Sequence, residues 1–497
     1  MNFVDYLFEY AHDPSKECIL YRGGSLTYGD ILSQVDDLAG YLTATIGRGN
    51  ECLLLSENTP FFVITYLAIM KSGNTVLLVE TRISDESIAN IFRECHIRAS
   101  FVQKKYRSKI TNSDNVFTED ILEGLLHTEM SGTPCVEDND VAVVIFTSGS
   151  TGAKKGVMLT HRNLCANTES IVQYLNLTSR DRICVTLPFF YCYGASLLHT
   201  HLRVGGSIVL SNNIFLGGAI QDINNFSCTG FAGVPSTYQI LINKTPFLKE
   251  ELPTLRYMMQ AGGQLPNKYI RMIAETFPQK MFFVMYGATE ATARLSYLPP
   301  NLVITKLGSI GKGIPGVTLE VINRDGRPVQ PGEIGEITAR GDNIMKGYYG
   351  DPEGTRNVIK NGWLYTGDLA TVDDEGYIYI VGRAKNIIKS GGYRISPNEI
   401  EEFICSLDGV NGCVVLGLPD DIMGEAVVAV VQPNDAAESS LREEILAQCT
   451  QHLPSYKVPR AVYFVREFPL NTSNKVDRQA LVAEIEEKRR QQNDAKL

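Results

Sequence analysis

No Cys-x-x-Cys pair occurs in this chain, although it carries 11 cysteines. An odd number of scattered thiols speaks against a disulfide framework, and a cytoplasmic, reducing compartment is expected. Basic residues are in deficit: 46 Lys and Arg face 56 Asp and Glu, a formal charge of −10. That excludes the basic footprint of a nucleic-acid binder. Long apolar runs are missing too. Phe61 to Met70 stops at Lys71, well short of the ~20 residues a bilayer requires. The opening Met1-Asn2-Phe3-Val4-Asp5 has no basic region leading into an apolar core, so no secretory leader is expected. Histidine is scarce, and His199-Thr200-His201 lacks a third ligand at metal-binding spacing, so core or helix-surface positions are expected for both. No G-x-S-x-G elbow exists for a serine hydrolase. Gly311 to Gly316 satisfies G-x-G-x-x-G, but it leads into Val317-Thr318-Leu319-Glu320-Val321, a strand pattern, whereas dinucleotide binding needs a helix there.

What is present is enough apolar residue for a large core. With 497 residues, 44% hydrophobic and 21% charged, the chain is expected to form two or more globular domains. Apolar runs such as Ile183 to Leu187, Ser207 to Leu210 and Met281 to Met285 alternate with helical patterns, as an α/β domain requires. Between Val317 and Arg340 short strands and tight turns at Asn323-Arg324-Asp325-Gly326 and Pro331-Gly332-Glu333 predict a β-rich subdomain. Past Arg383 a compact α+β unit is expected. Its strands lie near Cys413 to Leu418 and Ala426 to Val431, one helix covers about Ser440 to His452, and another follows Val476.

The most telling string is Thr147-Ser148-Gly149-Ser150-Thr151-Gly152-Ala153-Lys154-Lys155-Gly156. It follows Val141 to Phe146, which reads as a buried strand, and precedes Thr160, a fair N-cap for a helix through the 160s. Glycines let backbone N–H groups converge on an anion, hydroxyls add donors and lysine adds a point charge, so the string suits phosphate. It is not the common P-loop, which places Lys and Ser/Thr directly after the second glycine.

The string resembles the phosphate loop of the adenylate-forming enzymes, which include acyl- and aryl-CoA synthetases, peptide-synthetase adenylation domains and luciferases. Further motifs follow in the family's order: Leu26-Thr27-Tyr28, Tyr286-Gly287-Ala288-Thr289-Glu290, Tyr365-Thr366-Gly367-Asp368, Gly382-Arg383 and Pro469-Leu470-Asn471-Thr472-Ser473-Asn474-Lys475. The resemblance implies an α/β fold with a large N-terminal multi-subdomain part, residues 1–384, and a small mobile α+β lid, residues 385–497. It implies an AMP-forming ligase that uses ATP and Mg²⁺ to activate a carboxylic acid and passes it to a thiol. Thr147, Ser148, Gly149, Ser150, Thr151, Gly152, Lys155, Gly262, Gly263, Tyr286, Gly287, Ala288 and Thr289 are implied around the nucleotide, with Asp368 on the ribose hydroxyls and Arg383 nearby. Glu290 is implied as the Mg²⁺ ligand, Thr147 and Lys475 join it in catalysis, and Lys385 is implied as the hinge.

The acid pocket is implied to include Tyr191, Cys192, Gly194 and Pro235. Tyr191 stands where acyl-CoA synthetases often carry His. Cys192 stands where peptide-synthetase domains place an Asp for the α-amino group, and a neutral thiol cannot pair with an ammonium. Phe189, Phe190, Tyr191, Tyr193 and Tyr238 favour a small or medium apolar or aryl acid. Met285 to Pro300 resembles members encoded with bacterial surface-polysaccharide genes. Few residues follow Lys475, so the acceptor is expected in trans, as CoA or a separate phosphopantetheinyl carrier protein. A stand-alone amino-acid adenylating enzyme, a luciferase-type oxygenase and a non-catalytic nucleotide sensor are the alternatives. Ala495-Lys496-Leu497 approximates a peroxisomal tripeptide.

Overall fold

The computed structural model of this chain describes residues 1–111, 113, 115–125, 136–148, 154–213, 215–434, 438–472 and 474–494. Among these, strands gather into sheets of 14, seven and five strands. The first contains a parallel block through Glu17–Tyr21, Ser207–Leu210, Arg182–Val185, Gly230–Gly233, Tyr257–Gln260 and Met281–Tyr286. The second has its own parallel block, Val141–Ser148, Thr75–Leu78, Glu51–Leu55 and Ile97–Val102.

One core joins these blocks. Helices Tyr28–Thr45, Pro60–Lys71, His161–Leu175 and Cys192–Arg203 lie in it with residues from both sheets. Val76 and Leu78 face this core, while Leu77 turns to the opposite one with Leu53, Leu55 and Val144, the period of two that a pleated strand imposes. Phe61 to Met70 is buried residue after residue, because its helix is enclosed by this core. That is why an apolar run stands here without being a membrane span. Each such Leu, Ile or Phe contributes about 1.5–3 kcal/mol on burial, which offsets the entropy of ordering it. Among the described residues no helix is long and apolar enough to cross a membrane.

Local signals behave as their chemistry dictates. Thr160 accepts from the Asn163 N–H at 3.2 Å, and Asn163 Oδ1 accepts from the Thr160 N–H at 2.9 Å, a reciprocal capping box that starts helix His161–Leu175. Between the phosphate loop and that cap the structure has something the sequence reading lacked. Lys154–Thr160 is a strand, antiparallel to Val141–Ser148, and the two lysines open it.

The β-rich region forms from Thr318–Ile322, Gly335–Arg340, Trp363–Val372 and Ile378–Arg383, all antiparallel. Gly311 has φ +82°, and a Cβ there would stand 1.8 Å from the Tyr297 carbonyl oxygen. That glycine therefore serves a close strand approach. After Arg383 the chain makes one 3₁₀ turn, Ala384–Asn386, and enters the five-stranded sheet at Ile388–Ser390. Helices Pro397–Ser406 and Glu438–His452 help enclose the core on that sheet, and Arg478–Asp494 packs with Val414, Leu416 and Val428. The whole is a large α/β N-terminal body with a β-rich part and a small α+β C-terminal unit.

Candidate active site

In parallel sheets, ligands bind beyond the carboxyl ends of strands, where backbone groups are free and loops converge. Here Thr147 and Ser148 end one strand, Tyr286 ends another, Gly262-Gly263 follow Tyr257–Gln260, Pro235 follows Gly230–Gly233, and Glu80 follows Thr75–Leu78. Two parallel blocks thus send residues into one cleft. Gly149, Ser150, Thr151 and Gly152 lie outside the described residues, as do Ser473 and Ala495 to Leu497.

At one end of the cleft, Asp368 is 4% exposed. Its carboxylate accepts from the Tyr286 hydroxyl at 2.7 Å and pairs with Arg383 Nε at 2.9 Å. Strands Trp363–Val372 and Ile378–Arg383 bring the pair together, since Asp368 and Arg383 are directly opposite in register. Burial beside Asp368 raises the Tyr286 phenol well above its ordinary value, so it stays a neutral donor. An oriented carboxylate retains lone pairs for vicinal hydroxyls. Gly287 cannot be replaced without movement, because a Cβ there would lie 1.9 Å from the Ala293 carbonyl oxygen. The turn Tyr286-Gly287-Ala288 therefore needs its glycine for packing, whatever it does for a ligand.

Glu290 sits in the short 3₁₀ turn Thr289–Ala291. Tyr348 donates to its Oε1 at 2.8 Å, while Lys155 Nζ lies 4.5 Å from the centre of the Tyr348 ring and 3.3 Å from Asp351 Oδ2. Thr147 Oγ1 reaches the Lys155 carbonyl at 3.4 Å. Tyr348 and Asp351 were not singled out from the sequence, and no motif marks them. Among the described residues no cluster of three or more His, Cys, Asp or Glu could hold a metal. One oriented carboxylate suits Mg²⁺ bound mainly through phosphate and water, and Glu290 fits that pattern.

Lys475 enters from the C-terminal unit. Its turn is built by Asn471 N–H to Lys475 O at 2.8 Å and Lys475 N–H to Asn471 Oδ1 at 3.0 Å. Asn474 takes φ 58°, a left-handed geometry that Asn tolerates better than most side chains. Ser236 donates to the Asn474 carbonyl at 2.5 Å. A Cβ on Gly262, itself at φ +89°, would stand 3.2 Å from Lys475 Cε, so this glycine leaves room for the lysine stem. Sequence alone makes Lys475 a solvated surface charge. In the fold it opens to the cleft while protein crowds around it, and that desolvation pushes its ammonium below the ordinary lysine value. Cys192, Arg383, Asp368 and Glu290 are the charged or polarizable neighbours it feels.

Of the residues expected around the acid, Tyr191 is the N-cap of helix Cys192–Arg203, partly exposed, and Cys192 Sγ lies 3.5 Å from Thr289 Oγ1. Pro235 opens helix Pro235–Lys244 and would stand 3.2 Å from a Cβ on Gly263. Gly194 is buried, and a Cβ on it would fall 2.0 Å from the Pro188 carbonyl oxygen. It permits the helix to pass Pro188 and offers no surface. Of the five aromatics expected to shape a pocket, Phe189, Phe190, Tyr193 and Tyr238 are core residues, and only Tyr191 remains partly exposed. His199 and His201 are core residues too, bonded to the Tyr66 and Tyr257 hydroxyls at 2.9 and 2.8 Å.

The family described as AMP-binding enzyme matches residues 8–349, and its C-terminal domain matches residues 399–475. A feruloyl-CoA synthase of Amycolatopsis sp. is 31% identical over 469 residues, 93% of this chain and 94% of its own. A 2-succinylbenzoate–CoA ligase of Bacillus pumilus is 30% identical, over 94% and 95% of the two chains. Among solved structures, ATP-bound MatB from Rhodopseudomonas palustris superposes with TM-score 0.88 at 26% identity, covering 97% and 98%.

Proposed function

This chain belongs to the AMP-binding enzyme family as an AMP-forming acid–thiol ligase, and from that premise we propose that it activates an aryl or medium-length apolar carboxylic acid with ATP and passes it to CoA. The observation that carries the reading is that Asp368, bonded to Tyr286 and Arg383, and Lys475, whose stem lies against Gly262, stand at neighbouring strand ends of one sheet. The acid carboxylate attacks the α-phosphorus, an acyl–O–P bond forms and the bond to pyrophosphate breaks. Two anions must approach, so the chain's work is positioning and charge neutralisation. Lys475 offsets the charge building between carboxylate and α-phosphate. Asp368 accepts from ribose hydroxyls, held by Tyr286 and Arg383. Lys155 serves the leaving phosphates. Mg²⁺, when held by Glu290, supplies charge neutralisation on the phosphates. In the second half-reaction the thiol sulfur attacks the acyl carbon and AMP leaves.

The acid class rests on two supports. Cys192 contacts Thr289 and offers no carboxylate to an α-ammonium. The relatives named above act, by their names, on feruloyl and succinylbenzoyl groups. The units 1–384 and 385–497 hinge at Lys385, in the turn where the chain changes sheets. A free-standing carrier thiol in place of CoA remains the variant reading of the acceptor. Pyrophosphate release over a panel of aryl, acyl and amino acids, followed by CoA and carrier-thiol capture of the activated acid, tests both choices. Turnover confined to α-amino acids would refute the acid class, and capture by carrier thiol alone would refute CoA.

A further inference from the structure

Glu80 belongs to no motif, yet three segments remote in sequence meet on it. It follows strand Thr75–Leu78 at the edge of the cleft, with its side chain 15% exposed. Lys154, the first residue of the strand leaving the phosphate loop, pairs with its Oε1. Thr472, in the turn that presents Lys475, donates to its Oε2. Tyr191, on the acid side, donates to the same oxygen at 3.3 Å and shares a 2.5 Å hydrogen bond with Thr472. Burial would push the Glu80 carboxyl up, but donation from Lys154, Thr472 and Tyr191 outweighs it and holds the group below its ordinary value. A charge so enclosed persists only with its donors in place.

Resting on the two-step ligase reading above, we propose that Glu80 is a positioning residue: a clamp that holds the Lys475 turn closed against the phosphate-loop strand and the acid wall for the adenylating step. Thr472 lies three residues before Lys475 in a tight turn, so holding Thr472 fixes the origin of the lysine side chain. Lys154 keeps the clamp charged, because its ammonium pairs with the Glu80 carboxylate. Tyr191 ties the clamp to the acid's seat. The clamp has no part in thioester formation, where the acyl-phosphate bond already exists and Lys475 has no further pyrophosphate to expel.

Glu80→Gln keeps the shape and removes the charge. It should lower acid-dependent pyrophosphate exchange about tenfold or more, the size expected when hydrogen bonds to a charged group are lost. Transfer to thiol from supplied acyl-adenylate should stay within about twofold. Thr472→Val should reproduce the split, and the double variant should be no slower than the slower single one, since both break one clamp. Equal loss in both half-reactions together with a lowered melting temperature would mean a merely structural carboxylate, and unchanged exchange would also overturn the clamp. If the wild-type protein activates no acid in the panel, the functional reading fails first. The clamp is then read from trypsin cleavage near Lys385 and Lys389 with ATP and Mg²⁺ present: Glu80→Gln should be cut about tenfold faster than wild type, and equal rates would overturn it.

Discussion

Truncating Lys475 to Ala isolates the charge from the fold. The turn around it is held by backbone and Asn471 contacts, with Leu470 and Val476 bridged across its base, and none of these uses the lysine side chain. The side chain is open to the cleft, so folding stability should change by no more than about 0.5 kcal/mol. Activity is another matter. On the proposed reading the ammonium is the cation that the C-terminal unit brings to the cleft beside Gly262, and removing one preorganised charge stabiliser from a transition state costs about 3–4 kcal/mol. At about 1.4 kcal/mol per tenfold, that is a loss of ~10²–10³ in the adenylating rate. Acid-dependent exchange of labelled pyrophosphate into ATP measures this step alone. Thiol capture of a supplied acyl-adenylate measures the other and should change by less than about threefold, because the charge-building step is already past. Near wild-type pyrophosphate exchange in a folded Lys475→Ala would refute the placement of this lysine in the chemistry.

Other outcomes follow from the same geometry. Glu290→Gln keeps the Tyr348 contact and lowers the carboxylate's charge, so the Mg²⁺ concentration for half-maximal exchange should rise about tenfold while metal-free ATP binding holds; identical Mg²⁺ titrations would remove Glu290 as the ligand. Lys385→Pro fixes φ near −65° in the turn between sheets and should separate the two half-reactions, one persisting and the other failing. A folded variant that loses both equally, or neither, would sink the hinge. Burial depresses His161 to about 4, His199 to about 3 and His201 to about 4, all below the ~6.5 of the unfolded chain. The unfolded state therefore binds more protons in that window. Stability should be full above pH ~6.5 and fall toward pH ~4, by up to about 1.4 kcal/mol per pH unit for each histidine. Urea midpoints that stay flat from pH 6.5 to 4.5 would contradict this.

Local features carried furthest in the reading of the chain. Thr160 with Asn163 was legible as a helix start because a side-chain cap depends only on residues three apart. Val141 to Phe146 was legible as a buried strand because continuous apolar runs have few other homes in a parallel sheet. The strand Lys154–Thr160 was not, since two lysines and a glycine conceal its pairing until the partner strand is in place. The aromatics around Tyr191 misled because burial in a core and the lining of a pocket demand the same residue types, and only packing separates Tyr238 from Tyr191.

By itself the sequence determined the alternation of strands and helices, the change to a β-rich segment and then to an α+β unit, and the order of motifs that identifies an adenylate-forming ligase. These depend on periodicity, turn chemistry and short spacings, which act within a few residues. Tertiary structure alone decided that Asp368 meets Arg383 and Tyr286, that Glu290 is held by Tyr348, and that Glu80 gathers Lys154, Tyr191 and Thr472. Those last contacts join residues as far as 392 positions apart. An isolated Glu or Lys reads as a solvated surface charge, because water stabilises either alone. It acquires fixed partners only where the fold strips away that water and supplies them.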